Sequence, residues 1–368
     1  MSYIEKNRMN TILVGLSGGV DSSVAAALLR DAGHDLVGVT LRTAPWEEPE
    51  EAAHRFGSCC SPATAGMARK VARTLGIPYY LLNHEREFGQ RVIVDFAREY
   101  AAGRTPSPCV VCNREIKFGT LLDRALAWDV DAVATGHYAR VAPDPRTGRL
   151  CLLTARDQAK DQSYFLWPLS QRQLARARFP LGGLQKPEVR ALARARHLAT
   201  ATVPESQELC FVSGDYRGFL RARAPEAFRP GPVVDETGHE VGQHLGLGGY
   251  TVGQRRGLGS RGSRPTYVLR LDPSRNAVVV GPREALRATR LVAERVNWIA
   301  VAQLQEPRQI EARVRHRAPR VAACVRPLDA GRAEVEFREP QYAITPGQSV
   351  VLYQGEVILG GGVIACAA

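Results

Sequence analysis

The segment Ser17-Gly18-Gly19-Val20-Asp21-Ser22-Ser23 combines the residue types that bind a chain of phosphates. It follows the apolar run 11–16, which predicts a buried strand, and precedes the apolar run 24–29, which predicts a helix. Glycines at such a junction leave backbone N–H groups and the positive end of the helix dipole facing an anion. The serine hydroxyls add donors, and the Asp21 carboxylate is suited to hold Mg²⁺ on the phosphates. The predicted ligand-binding residues here are Gly15, Leu16, Ser17, Gly18, Gly19, Val20, Asp21 and Ser22.

The spacing of this segment excludes two common phosphate loops. No lysine follows Gly19, as a Walker A loop requires, and the G-x-G-x-x-G spacing of dinucleotide loops is missing. The pattern S-G-G-x-D-S resembles the pyrophosphate loop of the ATP pyrophosphatase superfamily, whose members cleave ATP between its α and β phosphates. Such enzymes adenylate a substrate oxygen and let a nucleophile displace AMP. The alternative is a strand–helix turn with no ligand.

A second set of reactive residues consists of thiols. Two prolines precede Cys109-Val110-Val111-Cys112, and we expect a helix to begin near Asn113. A thiol at a helix N-terminus next to Arg114 and Lys117 should have a lowered pKa and be nucleophilic. Cys210 lies far along the chain in a polar segment that has little reason to be core.

Other functions for these cysteines are less well supported. A structural zinc site needs four ligands, and Cys59-Cys60 is an adjacent pair that is not spaced for chelation. A thioredoxin-like role needs a different fold context. For Cys151, Cys324 and Cys366 an isolated buried thiol is the expected structure.

Taken together, these motifs carry a family resemblance. Over nearly its whole length the chain resembles the bacterial and mitochondrial tRNA-specific 2-thiouridylases, the MnmA family. The matching segments are residues 15–23, 109–118, 134–140, 160–166, 206–212, 253–259 and 345–349.

The resemblance implies a reaction and a set of site residues. ATP would adenylate O2 of the wobble uridine in tRNA, and a protein-borne sulfur would attack C2 and expel AMP. Cys112 would be the nucleophile and Cys210 the persulfide carrier, and the two could pair as a disulfide. Leu41 and Gly136 would contact adenosine through their backbones. The implied tRNA contacts are His137, Lys160, Asp161, Gln162, Arg315, His316 and Gln348, where His316 departs from the Arg-Tyr pair of many relatives.

Cys109 is a further departure, because many relatives have aspartate there. Cys109, Cys112 and Cys210 supply three thiolates, which can hold a [4Fe–4S] cluster with one iron left open to bind sulfide. The persulfide relay and the cluster are rival routes to the same product, and the sequence favours the relay only slightly. Lower alternatives are another adenylating ligase of the superfamily and a non-catalytic RNA-binding module with a vestigial nucleotide loop.

The charge balance supports a nucleic-acid partner. The chain has 49 Lys and Arg against 37 Asp and Glu, a net charge of +12, although arginine-rich composition can also follow genomic base bias. Half of this excess lies at 170–197, where we predict two short basic helices within a tRNA-binding insertion near 160–200. Only five basic residues are lysines, at 6, 70, 117, 160 and 186. Because lysine is so scarce, we predict that Lys160, which lies inside a motif, occupies a position that needs the compact charge of an ammonium group.

The pattern of elements predicts three domains. Strands alternate with helices up to about residue 140, which predicts an α/β doubly wound, mostly parallel sheet. The resemblance implies that this sheet is of the N-type ATP pyrophosphatase kind. Short glycine-punctuated β runs follow, then a β-rich block. We predict a first domain at 1–205, a small β-rich central domain at 206–284 and a C-terminal β-barrel at 285–368.

The remaining expectations concern the setting of the protein. No signal peptide and no apolar run long enough for a membrane helix is seen, and eight cysteines in no small-domain framework suggest a reducing cytoplasm. The predicted partners are tRNA and a sulfur donor, either a cysteine desulfurase or a sulfur-relay protein. The protein is expected to be a monomer that does not bind membranes.

Overall fold

The computed structural model describes residues 11–44, 61–204, 209–212, 215–258, 265–329 and 331–367. The chain forms two compact units, Met1–Gly89 with Cys112–Ser213, and Gln90–Val111 with Gly214–Ala368. Cys59-Cys60 and the first part of the predicted block 206–212 lie outside the described residues. None of the helices in the described ranges has the length and apolar character needed to cross a membrane.

The first unit is built on a parallel sheet with strand order β3-β2-β1-β4-β7. The order reverses beside β1, so that β1 and β4 flank a switch point where ligands bind in open α/β sheets. Two further strands, β5 and β6, form an antiparallel hairpin. The strands are β1 (Thr11–Gly15), β2 (Asp35–Arg42), β3 (Tyr79–Asn83), β4 (Ala132–Ala134), β5 (Arg140–Pro143), β6 (Leu150–Leu153) and β7 (Ala177–Arg178).

Helices cover this sheet, and the helix Val20–Asp31 is buried on two sides. Its Ala26 belongs to the core that includes the strands, whereas its Ala25 belongs to a second core shared with Val189 and Ala193. Small alanines permit this close packing without voids. The α-helices of the unit are Val20–Asp31, Pro62–Leu75, Glu85–Phe88, Leu121–Ala127, Gln171–Arg176 and Lys186–Ala195, with a π-helical turn at Asn113–Thr120 and a 3₁₀ turn at Ser163–Phe165.

One helix differs from the sequence expectation. The helix that carries both cysteines begins at Pro108, and not near Asn113, since proline is tolerated in a first turn where its missing N–H would be unused anyway. Cys109 therefore lies in the first turn of this helix, and Cys112 is its last residue before the π-helical turn at Asn113–Thr120. The stretch 85–101 is helical and consists of Glu85–Phe88, a π-helical turn at Gly89–Ile93 and Val94–Ala101.

The second unit contains a small four-stranded sheet and a closed barrel. The small sheet has the order β10-β11-β8-β9, and the barrel runs β12-β15-β14-β13-β16-β17 and closes by pairing β17 with β12. Leu291, Val335 and Val350 fill the barrel core. The strands are β8 (Gly231–Val234), β9 (Glu240–His244), β10 (Tyr267–Asp272), β11 (Ala277–Gly281), β12 (Arg287–Trp298), β13 (Arg308–Arg313), β14 (Val321–Asp329), β15 (Arg332–Tyr342), β16 (Ser349–Gln354) and β17 (Val357–Ala367). The predicted fold class, a parallel sheet followed by a small β-rich domain and a barrel, is confirmed.

Candidate active site

The phosphate loop lies where strand β1 gives way to the helix Val20–Asp31. Gly19 caps the helix in an extended conformation, and the hydroxyls of the loop bond within it. The Ser17 N–H donates to Ser22 Oγ (3.1 Å), and Ser23 Oγ donates to the Gly19 carbonyl (2.8 Å). The strand, glycine turn and helix therefore form the arrangement that a bound phosphate requires.

Two glycines let other segments approach this loop closely. Gly18 has a φ of +72°, and a Cβ there would lie 2.4 Å from the Thr64 carbonyl oxygen. Gly136 follows the switch-point strand β4, and its Cβ would lie 2.6 Å from the Ser22 nitrogen. Any larger residue at Gly136 would push the loop backbone away.

A cleft opens at this loop and gathers most of the predicted cofactor and catalytic residues. Predicted residues that line it are Gly15, Leu16, Ser17, Asp21, Ser22, Leu41, Cys112, Gly136, His137, Gln162 and Cys210. Six residues that were not predicted from the sequence also line the cleft, namely Val39, Thr43, Phe88, Lys117, Leu121 and Thr135. Lys117 had been noted only for its charge near the thiols, and the others are apolar or small residues with no chemical signal.

Both predicted sulfur residues reach the cleft from different segments. Cys112 is half-buried at the end of its helix, and Lys117 follows on the π-helical turn. Cys210 is also half-buried, and the next residue, Phe211, packs edge-on against Phe88 with ring centroids 5.5 Å apart. This aromatic contact fixes the segment that carries Cys210 against the wall of the cleft.

The third thiol is placed differently. Cys109 is exposed, and it is not among the residues that line the cleft. Among the residues that the structure describes, no group of three or more His, Cys, Asp or Glu side chains is arranged to hold a metal ion. The [4Fe–4S] cluster stays an untested alternative.

His137 forms a polar point in the wall of the cleft. Its Nδ1 lies 2.7 Å from Thr135 Oγ1, and Phe118 and Phe179 flank its ring. Loss of hydration, helped by the positive charge of Lys117, lowers the pKa of His137 well below its ordinary value. The imidazole is therefore neutral at pH 7.

Asp21 has two strong partners. Lys186 Nζ lies 2.7 and 2.8 Å from its two carboxylate oxygens, and the Tyr138 hydroxyl donates to Oδ1 (2.8 Å). Sequence analysis had counted Lys186 in the basic surface at 170–197, and this was wrong because Lys186 is buried and ion-paired. Its partner lies 165 residues away in sequence.

The segment of predicted tRNA contacts at 160–162 lies beside this ion pair. Gln162 exchanges two hydrogen bonds with the backbone of Tyr138 (2.9 and 3.0 Å). The Asp161 carboxylate is buried and accepts from the Ala155 N–H and the Ser163 hydroxyl. The Lys160 N–H donates to Asp157.

The predicted tRNA residues of the second unit serve its own structure. Arg315 donates to the carbonyls of Tyr342 (2.6 Å) and Ala343 (3.1 Å), and Gln348 donates to the Thr105 carbonyl (2.8 Å). His316 is half-buried. Contact of these three residues with tRNA stays a prediction.

Part of the predicted basic surface is neutralised. Arg172 pairs with Asp123 (3.1 Å), and Arg190 donates to the carbonyls of Ala201 and Val203. Arg194 is exposed on the helix Lys186–Ala195. The basic helices are real, but fewer of their charges face outward than the composition suggests.

Comparison with known proteins identifies the chain. Residues 10–214 match the family model described as the tRNA methyl transferase HUP domain, residues 217–282 match the PRC-barrel domain of the same name, and residues 288–364 match an aminomethyltransferase beta-barrel domain. The tRNA-specific 2-thiouridylase MnmA of Roseiflexus castenholzii is 52% identical over 97% of this chain and 100% of its own length. The chain belongs to the tRNA-specific 2-thiouridylase family.

Other 2-thiouridylases agree. The MnmA of Heliobacterium modesticaldum is 50% identical over 96% of this chain and 92% of its own length, and that of Chloroflexus aggregans is 50% identical over 97% and 99%. The resemblance predicted from the motifs is confirmed. The individual site residues and the domain boundaries at 205/206 and 284/285 remain predictions.

Proposed function

We propose that this protein is a tRNA 2-thiouridylase, a tRNA-uridine 2-sulfurtransferase that replaces O2 of the wobble uridine with sulfur at the expense of ATP. The observation that carries the proposal is that Cys112 and Cys210 line the same cleft as the phosphate loop. An enzyme that activates an oxygen with ATP and then displaces it with sulfur needs these two functions side by side.

The first step is adenylation. The phosphate loop holds ATP, and O2 of the uracil attacks the α-phosphorus and expels pyrophosphate. Asp21 is a carboxylate at the loop, which suits the Mg²⁺ that accompanies ATP and that neutralises charge on the phosphates. Leu41 and Gly136 line the cleft where adenosine would lie.

The second step is sulfur transfer. The terminal sulfur of a persulfide on Cys210 attacks C2, and AMP leaves with the original oxygen. The Cys112 thiolate then attacks Cys210 Sγ, which releases the thiocarbonyl on the base and leaves a Cys112–Cys210 disulfide for a reductant to reopen. Lys117 supplies positive charge near the thiolate, and neutral His137 can bond to the base without repelling that charge.

The partners follow from this chemistry. The substrate is a tRNA with a wobble uridine, and the persulfide must be loaded by a cysteine desulfurase or a sulfur-relay protein. We expect a monomer that works in a reducing cytoplasm, because a persulfide needs thiols that are kept reduced.

Methyl transfer is the competing function, because two of the matching family models are described as domains of a tRNA methyl transferase. Two cysteines lining an ATP-type phosphate loop favour sulfur transfer, since methyl transfer from a donor cofactor needs no adenylation.

The test uses cysteine variants in single-turnover reactions. Full-length protein is loaded with persulfide by a cysteine desulfurase and cysteine, mixed with ATP and tRNA, and the tRNA nucleosides are analysed by mass spectrometry. Cys112→Ser and Cys210→Ser should each give no 2-thiouridine and still bind ATP. The matched control is Cys366→Ser on strand β17, which should behave as the parent does. Normal 2-thiouridine from Cys210→Ser would overturn the assignment of the persulfide.

A further inference from the structure

A continuous path of hydrogen bonds joins the phosphate loop to the loop at 157–162. Its first branch runs through Lys186. The Lys186 ammonium bonds to both oxygens of Asp21, and the backbone N–H of the same residue donates to Asp157 Oδ2 (2.8 Å). The other oxygen of Asp157 accepts from the N–H groups of Ala159 (3.1 Å) and Lys160 (3.2 Å). Lys186 thus binds the Asp21 carboxylate of the phosphate loop with its side chain. With its backbone N–H it binds Asp157, which in turn holds the loop at 157–162.

The second branch runs through Tyr138. Its hydroxyl donates to Asp21 Oδ1 (2.8 Å), its N–H donates to Gln162 Oε1 (3.0 Å), and its carbonyl accepts from the Gln162 N–H (2.9 Å). The Tyr138 side chain is buried, and the Lys186 ammonium lies 5.7 Å from the centre of its ring. The two branches meet at Asp21 and end at opposite sides of the same loop, so that they close a ring.

The ring is constrained at each member. Side-chain exposure is 11% for Lys186 and 32% for Asp21, and Asp157 is buried. Gly182, which precedes the helix of Lys186, allows no Cβ, because that atom would lie 1.9 Å from the Ala139 carbonyl oxygen. In such a packed region a displaced carboxylate must be followed by its partners, because a charge left unpaired there is costly.

Nucleotide binding acts on the point where the branches meet. Both Asp21 oxygens already accept from Lys186. The phosphates of a nucleotide therefore compete with Asp21 for the Lys186 ammonium, and their counter-cation competes with Lys186 for the Asp21 carboxylate. Occupancy of the phosphate loop therefore weakens the ion pair and frees the ammonium for an anion. The change is transmitted through Asp157 and Gln162 to the loop that is expected to meet RNA.

We propose that Lys186 and Tyr138 are positioning residues that couple nucleotide binding to tRNA binding. This inference rests on the proposed function, since it requires both ligands. Coupling between two sites is reciprocal and is typically worth about fivefold to 150-fold in affinity. We expect a non-hydrolysable ATP analogue with Mg²⁺ to tighten tRNA binding at least fivefold, and tRNA to tighten binding of the analogue by the same factor.

The test is a binding cycle on the full-length protein. The tRNA dissociation constant is measured with and without the analogue for the parent, Lys186→Met and Tyr138→Phe, with Lys70→Met as the control at an exposed lysine. Tyr138→Phe should still bind each ligand alone, and in both ring variants the ratio of the two tRNA constants should fall to within about twofold of one. The control should keep the parental ratio.

The outcomes separate the inference from the function on which it rests. A parental ratio in Tyr138→Phe, which loses one hydroxyl and keeps its ring, would overturn the coupling even if Lys186→Met fails to fold. A ratio of one in the parent, with both ligands bound, would also overturn it. Failure of the parent to bind tRNA at all would instead count against the proposed function.

Discussion

Among single residues, Asp21 has two roles. It belongs to the phosphate loop, and its carboxylate also forms an ion pair with Lys186. Asp21→Asn should lower AMP formation about a hundredfold, or about 2.7 kcal/mol of transition-state stabilisation. The measurement is the rate of AMP release in the presence of tRNA.

The control for Asp21→Asn is tRNA binding without nucleotide, which should stay within about twofold of the parent, because Asp21 is assigned to phosphates and not to RNA. An equal loss of nucleotide-free tRNA binding in a variant that melts normally would contradict this assignment.

His137 makes stability depend on pH. Its pKa is lowered in the folded chain, so that the stabilising contribution of the neutral ring is present above about pH 6.5 and is lost as the pH falls towards the folded-state value. His137→Asn should therefore reduce the loss of thermal stability between pH 7 and pH 5. The measurement is the melting temperature at both pH values, with His197→Asn as an exposed control. An unchanged pH dependence in His137→Asn would contradict the prediction.

At the scale of elements, the site depends on how closely two loops approach each other. Gly136→Ala places a methyl group 2.6 Å from the Ser22 nitrogen, which must move the phosphate loop. We expect ATP affinity to fall at least tenfold, which is about 1.4 kcal/mol. Gly183→Ala is the matched control, because a Cβ there meets nothing within 4 Å. Calorimetric titration with ATP compares the two, and equal affinities would show that the loops are not in close contact.

The basic helices supply a second prediction at this scale. Reversing Arg172, Arg176 and Arg194 to Glu should weaken tRNA binding and flatten its dependence on salt, because each phosphate contact adds roughly one unit to the logarithmic slope. The measurement is the tRNA dissociation constant over a series of salt concentrations.

Its control reverses three exposed basic residues outside 170–197, namely Lys70, Arg73 and Arg146. The same decrease in slope in both triple variants would mean that only net charge matters, and an unchanged slope in the first would leave those arginines as a solvated surface.

Elements that depend on local sequence could be predicted, whereas contacts between distant residues could not. The strand, glycine turn and helix around residues 11–31 were predictable, because periodicity and glycine placement are local signals. The Asp21–Lys186 pair was not, since its members are far apart in sequence and the only hint was the scarcity of lysine. That hint drew attention to Lys160, whereas Lys186 is the lysine paired with the phosphate loop.

At the scale of the whole molecule, motif order along the chain was enough to predict the family and the three-part layout. The burial and the bonding partners of individual charged residues could not be predicted. A count of charges treats Arg190 and Lys186 as surface charge, whereas both bond to groups within the protein. The apolar and small residues that line the cleft could not be predicted either, since residue types such as Val39 and Phe88 do not indicate a ligand site.

The proposed function requires that adenylation and sulfur transfer occur in one cleft of one protein. The most direct measurement is the ratio of AMP released to 2-thiouridine formed at the wobble position, in a single turnover of the persulfide-loaded protein with ATP and tRNA. We expect one AMP for each 2-thiouridine, and no 2-thiouridine when ATP is omitted. AMP released without sulfur in the tRNA, sulfur transfer without ATP, or a methylated nucleoside in place of 2-thiouridine would contradict the proposed function.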